Sequence, residues 1–293
     1  MELIPEIRLY AAHGALVLRD GLSICFYMRR SHQEVARNVR SALDTYVRAV
    51  GPQALGWYVD PEGDWQELDT QGWQVIRDKL HESRGGLVRL YERPDAVSKY
   101  AFEYRGRRLD GSNPGAVSGM TFRLPTEFLV EHGPSRVREL ALELGGKLPF
   151  NSGHAGPAFH FLFLPPEFRS LCLRYPGMDA LELGMVTEDL GTRVRAPHWL
   201  TFLGQPVLGE LGGVTGLRSR LSSPDITLQE MDEGQVVITL GTSPEAGDFE
   251  QGHDLPLHRQ LAQVLEPWLY YDRYRLSVLT QEDMRRWERR FLD

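Results

Sequence analysis

The glycine-rich stretch 151–156, Asn-Ser-Gly-His-Ala-Gly, holds the residue types best suited to chemistry. His154 in such a turn can act as a general base, with Ser152, Cys172 or Asp179 nearby as candidate nucleophiles. The alternative is a tight structural loop whose histidine bonds to the backbone. A small-molecule hydrolase or transferase built on His154 is therefore one hypothesis and a structural loop is the other.

Motifs that identify common enzymes and metal sites are absent from the sequence. It has no Gly-x-Ser-x-Gly, no Walker loop, no Gly-x-Gly-x-x-Gly after a strand, no His-Glu-x-x-His and no Cys-x-x-Cys. The five-residue spacing of His253 and His258 places the two rings about 140° apart on a helix, which excludes a same-face metal pair. Cys25 and Cys172 lie among apolar residues and are expected to be buried, inert thiols. We therefore predict no catalytic residue, no metal and no cofactor.

Two of the six tryptophans fall neither in a strand pattern nor on an apolar helical stripe. Trp65 lies in an acidic turn, and Trp199 follows Pro197-His198. Tryptophan is enriched among the residues that anchor protein interfaces. Both are therefore predicted interface anchors.

The acidic residues are concentrated in one segment. The chain has a formal net charge of −7, and residues 221–258 contain eight acidic residues and no Lys or Arg. We expect an acidic hairpin with a protruding loop to dock on a basic partner; the alternative is a solvated edge hairpin whose charges discourage strand pairing. The predicted interface comprises Asp225, Glu230, Asp232, Glu233, Glu245, Asp248 and Glu250, with Trp65 and Trp199.

Composition and length limit the class of protein. The acidic balance excludes a nucleic-acid binder that relies on bulk positive charge, so no direct nucleic-acid binding is expected. The acidic, Pro-containing start predicts no secretory signal, and no apolar run approaches the ~20 residues that span a bilayer. Two cysteines are too few for a disulfide scaffold. These features predict a cytoplasmic protein without a membrane contact and leave self-association open.

The elements that must position these residues are predicted from periodicity and turn signals. Ser31-x-x-Glu34 is a capping box that begins a helix ending at Gly51-Pro52. Asp20-Gly21 favours a hairpin turn between two strands. The other predicted elements are helices at 71–82, from 134, at 256–269 and from Thr280, strands at 87–91, 100–105, 118–123 and 157–164, and a hairpin of 226–228 with 236–240.

Frequent hairpins without a regular βαβ alternation predict an α+β fold. We expect mixed or antiparallel sheets with helices packed on one face, and two similar-looking halves that pack as one unit. The turn-rich residues 110–116 suggest a boundary that divides 1–112 from 113–293, and the second half carries the acidic hairpin and loop, 221–258.

Four motifs together resemble the TsiV family, the immunity proteins of bacterial type VI secretion systems associated with VRR-Nuc nuclease toxins. They are 124–127 (Leu-Pro-Thr-Glu), 152–159 (Ser-Gly-His-Ala-Gly-Pro-Ala-Phe), 174–179 (Arg-Tyr-Pro-Gly-Met-Asp) and 197–204, which begins Pro-His-Trp-Leu. The resemblance spans about 15–220 and implies a binding protein that occludes a toxin, not an enzyme. It therefore implies a cognate toxin as partner, with a nuclease and its basic surface as the expected target.

Overall fold

The computed structural model describes residues 4–82, 85–109, 111, 113–272 and 275–293, and the backbone but not the side chain of Glu233. The predicted boundary at residue 112 therefore lies outside the described residues. The strands are β1 Arg8–Tyr10, β2 Leu16–Met28, β3 Trp57–Val59, β4 Trp65–Glu67, β5 Gly86–Tyr91, β6 Ala101–Gly106, β7 Ser118–Pro125, β8 Ser152–Phe161, β9 Leu200–Leu203, β10 Ile226–Met231 and β11 Gln235–Leu240. The helices are α1 His32–Val50, α2 Thr70–His81, α3 Thr126–Gly145, α4 Phe168–Arg174, α5 Leu183–Asp189, α6 Val207–Glu210, α7 Gly213–Arg220, α8 Pro256–Leu265 and α9 Gln281–Glu288.

These strands form one sheet in the order β10-β11-β9-β8-β2-β7-β6-β5-β3-β4, and β1 pairs with β2 at one end. Every pair of these strands is antiparallel. The prediction of an α+β fold is confirmed. The sheet runs without a break across both predicted halves, because the long central strand β2 pairs with β7 on one side and β8 on the other.

Helices α1 and α3 cover one face of the sheet. Helix α1 begins as predicted, with the Ser31 backbone N–H donating to Glu34 Oε2 at 2.7 Å, and ends at Gly51, whose φ is +93°. Its buried stripe packs with Phe26 and Phe122 in the main core. Helix α3 bends at Gly133 (φ +76°), and its second part begins at Pro134 as the sequence predicts.

The opposite face is covered in its central part and at the end formed by β9–β11, where Leu203, Val236 and Ile238 pack with residues of α6, α7 and α8. Cys25 and Tyr27 point away from α1 and α3, since successive side chains of a strand alternate between faces. They pack with Leu183 and Val186 of α5 in a separate apolar cluster. Helices therefore lie on both faces of the sheet, and the part formed by β5 and β6 keeps an open face.

The predicted hairpin turn at Asp20-Gly21 is wrong, because both residues lie inside β2. Asp20 is 1% exposed, and its carboxylate accepts hydrogen bonds from the Ile7 backbone N–H at 2.8 Å and from the Thr126 hydroxyl. A Cβ at Gly21 would collide with the His160 ring. Glycine is thus required here for close approach between strands, and strand pairing on both sides overrides the local turn preference.

The predicted loop at 151–156 is also wrong, because Ser152 already begins β8. Gly153 faces Phe26 across the strand pair, and a Cβ there would lie 2.6 Å from the Cys25 carbonyl oxygen. Gly153 therefore permits close packing in the middle of the sheet. His154 is consequently a core residue.

Other predicted elements are confirmed, with shifts at their ends. Strands β10 and β11 form the predicted hairpin around Asp232–Gly234, and α9 follows its N-cap Thr280. Cys25 and Cys172 are free and buried, as expected. No helix within the described residues combines the length and apolar character needed to cross a membrane.

Candidate functional site

Three of the motifs meet in a buried polar cluster. His154 on β8, Asp179 after α4 and His198 before β9 each supply one side chain, and none is more than 2% exposed. His154 Nε2 lies 3.3 Å and His198 Nε2 lies 3.6 Å from Asp179 Oδ2. The imidazole rings stack with centroids 4.0 Å apart. We call these three residues the histidine–aspartate cluster.

Arg195 pairs with the other oxygen of the same carboxylate. Its Nη2 lies 3.2 Å from Asp179 Oδ1 and its Nη1 lies 3.2 Å from Asp272 Oδ2. Burial opposes ionisation of Asp179, but the Arg195 guanidinium outweighs burial and holds the pKa of Asp179 well below its usual range. Asp179 is therefore ionised at neutral pH and depends on Arg195 for its charge balance.

Both imidazoles of the cluster are neutral near pH 7. Burial lowers the pKa of His154, and it lowers the pKa of His198 to about 4. The Nδ1 of His198 lies 2.8 Å from the Ala196 carbonyl oxygen, so this nitrogen carries the proton of the neutral ring. The contacts with Asp179 are thus not ion pairs, although their distances fall within ion-pair range.

A catalytic role for His154 has little geometric support. Its described side-chain partners are Asp179 and the rings of His198 and Tyr27, while the Ser152 hydroxyl donates to the Arg193 carbonyl oxygen. Burial raises the pKa of the Cys172 thiol to about 12, so this thiol is not activated. The cluster is also closed to a substrate, since all its members are buried.

The predicted acidic interface separates into different environments. Asp225, Glu230, Asp232 and Glu245 are exposed. Asp248 is 7% exposed, and Arg174 pairs with it at 2.7 Å and with Glu250 at 3.0 Å. A cation from outside 221–258 therefore neutralises part of the acidic segment. Glu233 has no described side chain.

The two predicted tryptophan anchors differ in exposure. Trp199 is 1% exposed and belongs to the main core, which corrects its predicted role as a surface anchor. The cause is its position at the start of β9, next to the histidine–aspartate cluster. Trp65 on β4 is 38% exposed and contacts the Tyr91 ring edge-on, with centroids 5.2 Å apart.

Trp65 and the acidic hairpin lie at opposite ends of the sheet. Strand β4 ends one side of the strand order and β10 ends the other. Nine strand spacings of about 4.8 Å separate them by roughly 43 Å in a flat sheet, and twist shortens this distance. The predicted interface residues therefore occupy two separate surfaces.

Trp65 borders a groove of about 310 Å³ on the open face of β5 and β6. We call it the arginine groove. Leu87 and Leu162 on its wall are 41% and 46% exposed. Its charged lining residues are Arg89, Arg93, Arg105, Arg123, Glu103 and Glu182.

The groove carries excess positive charge. The Glu103 carboxylate is already engaged by Arg123 at 2.9 Å and by the Tyr91 hydroxyl at 3.2 Å. Among the ion pairs of the described residues, none includes Arg89 or Arg105. The groove thus offers apolar surface and two guanidinium groups to a partner.

Sequence reasoning missed Arg195 and the arginine groove. The sequence predicts strands at 87–91 and 100–105, but only the antiparallel register sets Leu87 opposite Arg105 and Arg89 opposite Glu103. For Arg195, no local signal distinguishes it from the other arginines of the chain.

The fold and these surfaces define a single-sheet α+β protein whose exposed features are suited to binding another macromolecule. A family model described as TsiV, type VI immunity for VRR-NUC, matches residues 38–291. The chain belongs to the TsiV family.

A solved structure supports the fold assignment. The Pseudomonas aeruginosa T6SS protein PA0821 is similar with a TM-score of 0.81 and 20% sequence identity, over 98% of this chain and 87% of that one. At this identity the likeness shows a shared fold. No curated protein matches the chain.

Proposed function

We propose that this protein binds the VRR-Nuc toxin of a type VI secretion system in the cytoplasm and neutralises it by occluding its active or substrate-binding site. The observation that carries the proposal is membership of a family of type VI immunity proteins, matched over residues 38–291. Neutralisation is stoichiometric and requires no catalysis by this chain. The closed environment of His154 supports this view over a hydrolase or transferase.

Co-expression with the cognate VRR-Nuc toxin tests the function. We expect the chain to restore growth of cells that make the toxin and to co-purify with it at a fixed ratio. Co-expression with a VRR-Nuc toxin from another locus is the control, since cognate specificity requires selective protection. Failure both to protect and to co-purify contradicts the proposal.

We assign the exposed acidic residues to the encounter with a basic surface of the toxin. The double variant Glu230→Lys/Asp232→Lys is expected to slow association roughly 10-fold at low salt, because like charges then repel. The difference should shrink as salt shortens the screening length to about 8 Å at physiological ionic strength. Stopped-flow or surface-based kinetics at several salt concentrations measure it.

Asp44→Lys/Glu131→Lys is the matched control for this charge reversal. It changes net charge equally but places the lysines on α1 and α3, where both acids are exposed. Equal slowing by both variants means that only net charge matters. If the association rate is unchanged in both variants, the acidic residues take no part in the encounter. The proposed function is not affected by that result.

We assign the anchoring contact to the arginine groove. Trp65 is the type of aromatic residue that carries much of the binding energy in interfaces, and the exposed Leu87 and Leu162 add apolar surface around it. Arg89 and Arg105 suit a toxin segment bearing carboxylates, and metal-dependent nucleases hold their ions with carboxylates. Binding at this groove would therefore occlude such an active site.

A further inference from the structure

The histidine–aspartate cluster contains three buried polar atoms without a hydrogen-bond partner. They are His154 Nε2, Asp179 Oδ2 and His198 Nε2. Leaving such atoms unpaired in a protein core is costly, and three of them face one another here. Within the described residues, this is the group of His, Cys, Asp and Glu side chains whose ligand atoms all lie within 4.8 Å of one another.

The direction of the His198 hydrogen bond makes the contact with Asp179 unfavourable as it stands. Because the Ala196 carbonyl oxygen accepts the Nδ1 proton, Nε2 of the neutral ring presents a lone pair. Asp179 Oδ2 lies 3.6 Å away, and because Arg195 pairs with the other oxygen of this carboxylate, Oδ2 is also an acceptor. Two acceptors that face each other in a dry core call for a cation between them.

We propose that the histidine–aspartate cluster binds one divalent transition-metal ion of the zinc class through His154 Nε2, His198 Nε2 and Asp179 Oδ2. Neutral imidazoles and a carboxylate are the donors that Zn²⁺ accepts, and ligand atoms 2.0–2.1 Å from a tetrahedral ion are about 3.3 Å apart. The distances from Asp179 Oδ2 to the two nitrogens, 3.3 and 3.6 Å, fit this spacing.

The surroundings provide the outer contacts of a metal site. Arg195 holds Asp179 Oδ1 at 3.2 Å and leaves Oδ2 for the ion, and Ala196 fixes the tautomer of His198. The two rings are nearly parallel, at 17°, so one ring must tilt to aim both lone pairs at the ion. Each ligand comes from a different one of the motifs at 152–159, 174–179 and 197–204, so the ion would join three distant segments of the chain.

Metal analysis of the isolated, tag-free protein tests the proposal without the toxin. We expect about one Zn²⁺ per chain after growth with zinc, and one binding event when chelator-treated protein is titrated with Zn²⁺ by calorimetry. With Co²⁺ as probe, a buried tetrahedral site gives strong visible absorption, whereas adventitious surface binding gives weak octahedral bands. Absence of both stoichiometric zinc and the Co²⁺ spectrum in the wild-type protein overturns the proposal.

Variants then locate the ion. His154→Gln and His198→Gln are each expected to weaken Zn²⁺ binding more than the 10–100-fold typical of losing an outer contact. His160→Gln is the matched control, because His160 is a buried histidine on the same strand whose Nε2 contacts Ser23 and the Leu22 carbonyl oxygen. Wild-type affinity in the double variant His154→Gln/His198→Gln overturns the assignment. If the variants do not fold, the wild-type stoichiometry and Co²⁺ spectrum decide.

Discussion

Replacing Arg195 with methionine is expected to lower the free energy of unfolding by about 3–5 kcal/mol, as for other buried pairs that lose one partner. Arg195 is 7% exposed, and its removal leaves the buried Asp179 carboxylate without its cation. Asp272 loses the same partner. Urea denaturation followed by tryptophan fluorescence measures the change.

Arg136→Met is the control for this prediction. Arg136 pairs with Glu139 at 3.5 Å, and both side chains are exposed, so its loss should cost at most about 1 kcal/mol. If Arg195→Met lowers the free energy of unfolding by no more than Arg136→Met does, the structural role of the Arg195–Asp179 pair is contradicted. Asp179→Asn in the Arg195→Met background should recover part of the stability, because the buried carboxylate is then neutral.

The contribution of Asp179 to the pH dependence of stability should have opposite signs in the wild type and in Arg195→Met. In the wild type, the pKa of Asp179 is lowered in the folded protein, so its contribution is present above the unfolded pKa of about 3.9 and is lost as pH falls below it. Without Arg195, burial is the main effect left and raises the pKa above the unfolded value. The difference in free energy of unfolding between the wild type and Arg195→Met should therefore shrink as pH falls towards 4.

Replacing Trp65 with alanine is expected to raise the dissociation constant for the toxin by roughly 30-fold or more, the effect of losing one main interface anchor. Its indole is 38% exposed beside the arginine groove, where burial against a partner would remove apolar area from water. Most of the change should be faster dissociation, because short-range packing acts after the encounter. Binding kinetics with the purified VRR-Nuc toxin measure it.

Arg105→Glu tests the charge of the same groove, and Val130→Ala serves as the control. A carboxylate at position 105 should repel an acidic toxin segment. Arg105→Glu should therefore weaken toxin binding, as Trp65→Ala does. Val130 is 82% exposed on α3, which covers the other face of the sheet, so its removal should leave binding unchanged. Wild-type affinity in both groove variants places the toxin contact elsewhere on the molecule.

Local signals in the sequence determined the elements whose ends are set by their own residues. Ser31 with Glu34 and Gly51 define α1, Thr280 defines the start of α9, and the β10–β11 hairpin forms around Gly234. These signals succeed because capping and turn formation involve groups only a few residues apart. The four motifs also determined the family, through residues at fixed places in the chain.

Glycine-rich segments were interpreted wrongly wherever a neighbouring strand decides the structure. Gly21 and Gly153 both suggest turns from their local sequence, yet each lies within a paired strand. Glycine is needed at both positions because another part of the chain approaches too closely for a Cβ. Hydrogen bonds to strands on both sides outweigh the local preference of these residues for a turn.

Tertiary structure alone decided the electrostatics. The sequence established a segment, 221–258, without a cation, but Arg174 from another part of the chain neutralises Asp248 and Glu250. Likewise, His154, Asp179 and His198 are separated by tens of residues and meet only in the folded core. Charge and ligand geometry depend on distances in space, and sequence spacing fixes these distances only within a single helix, strand or turn.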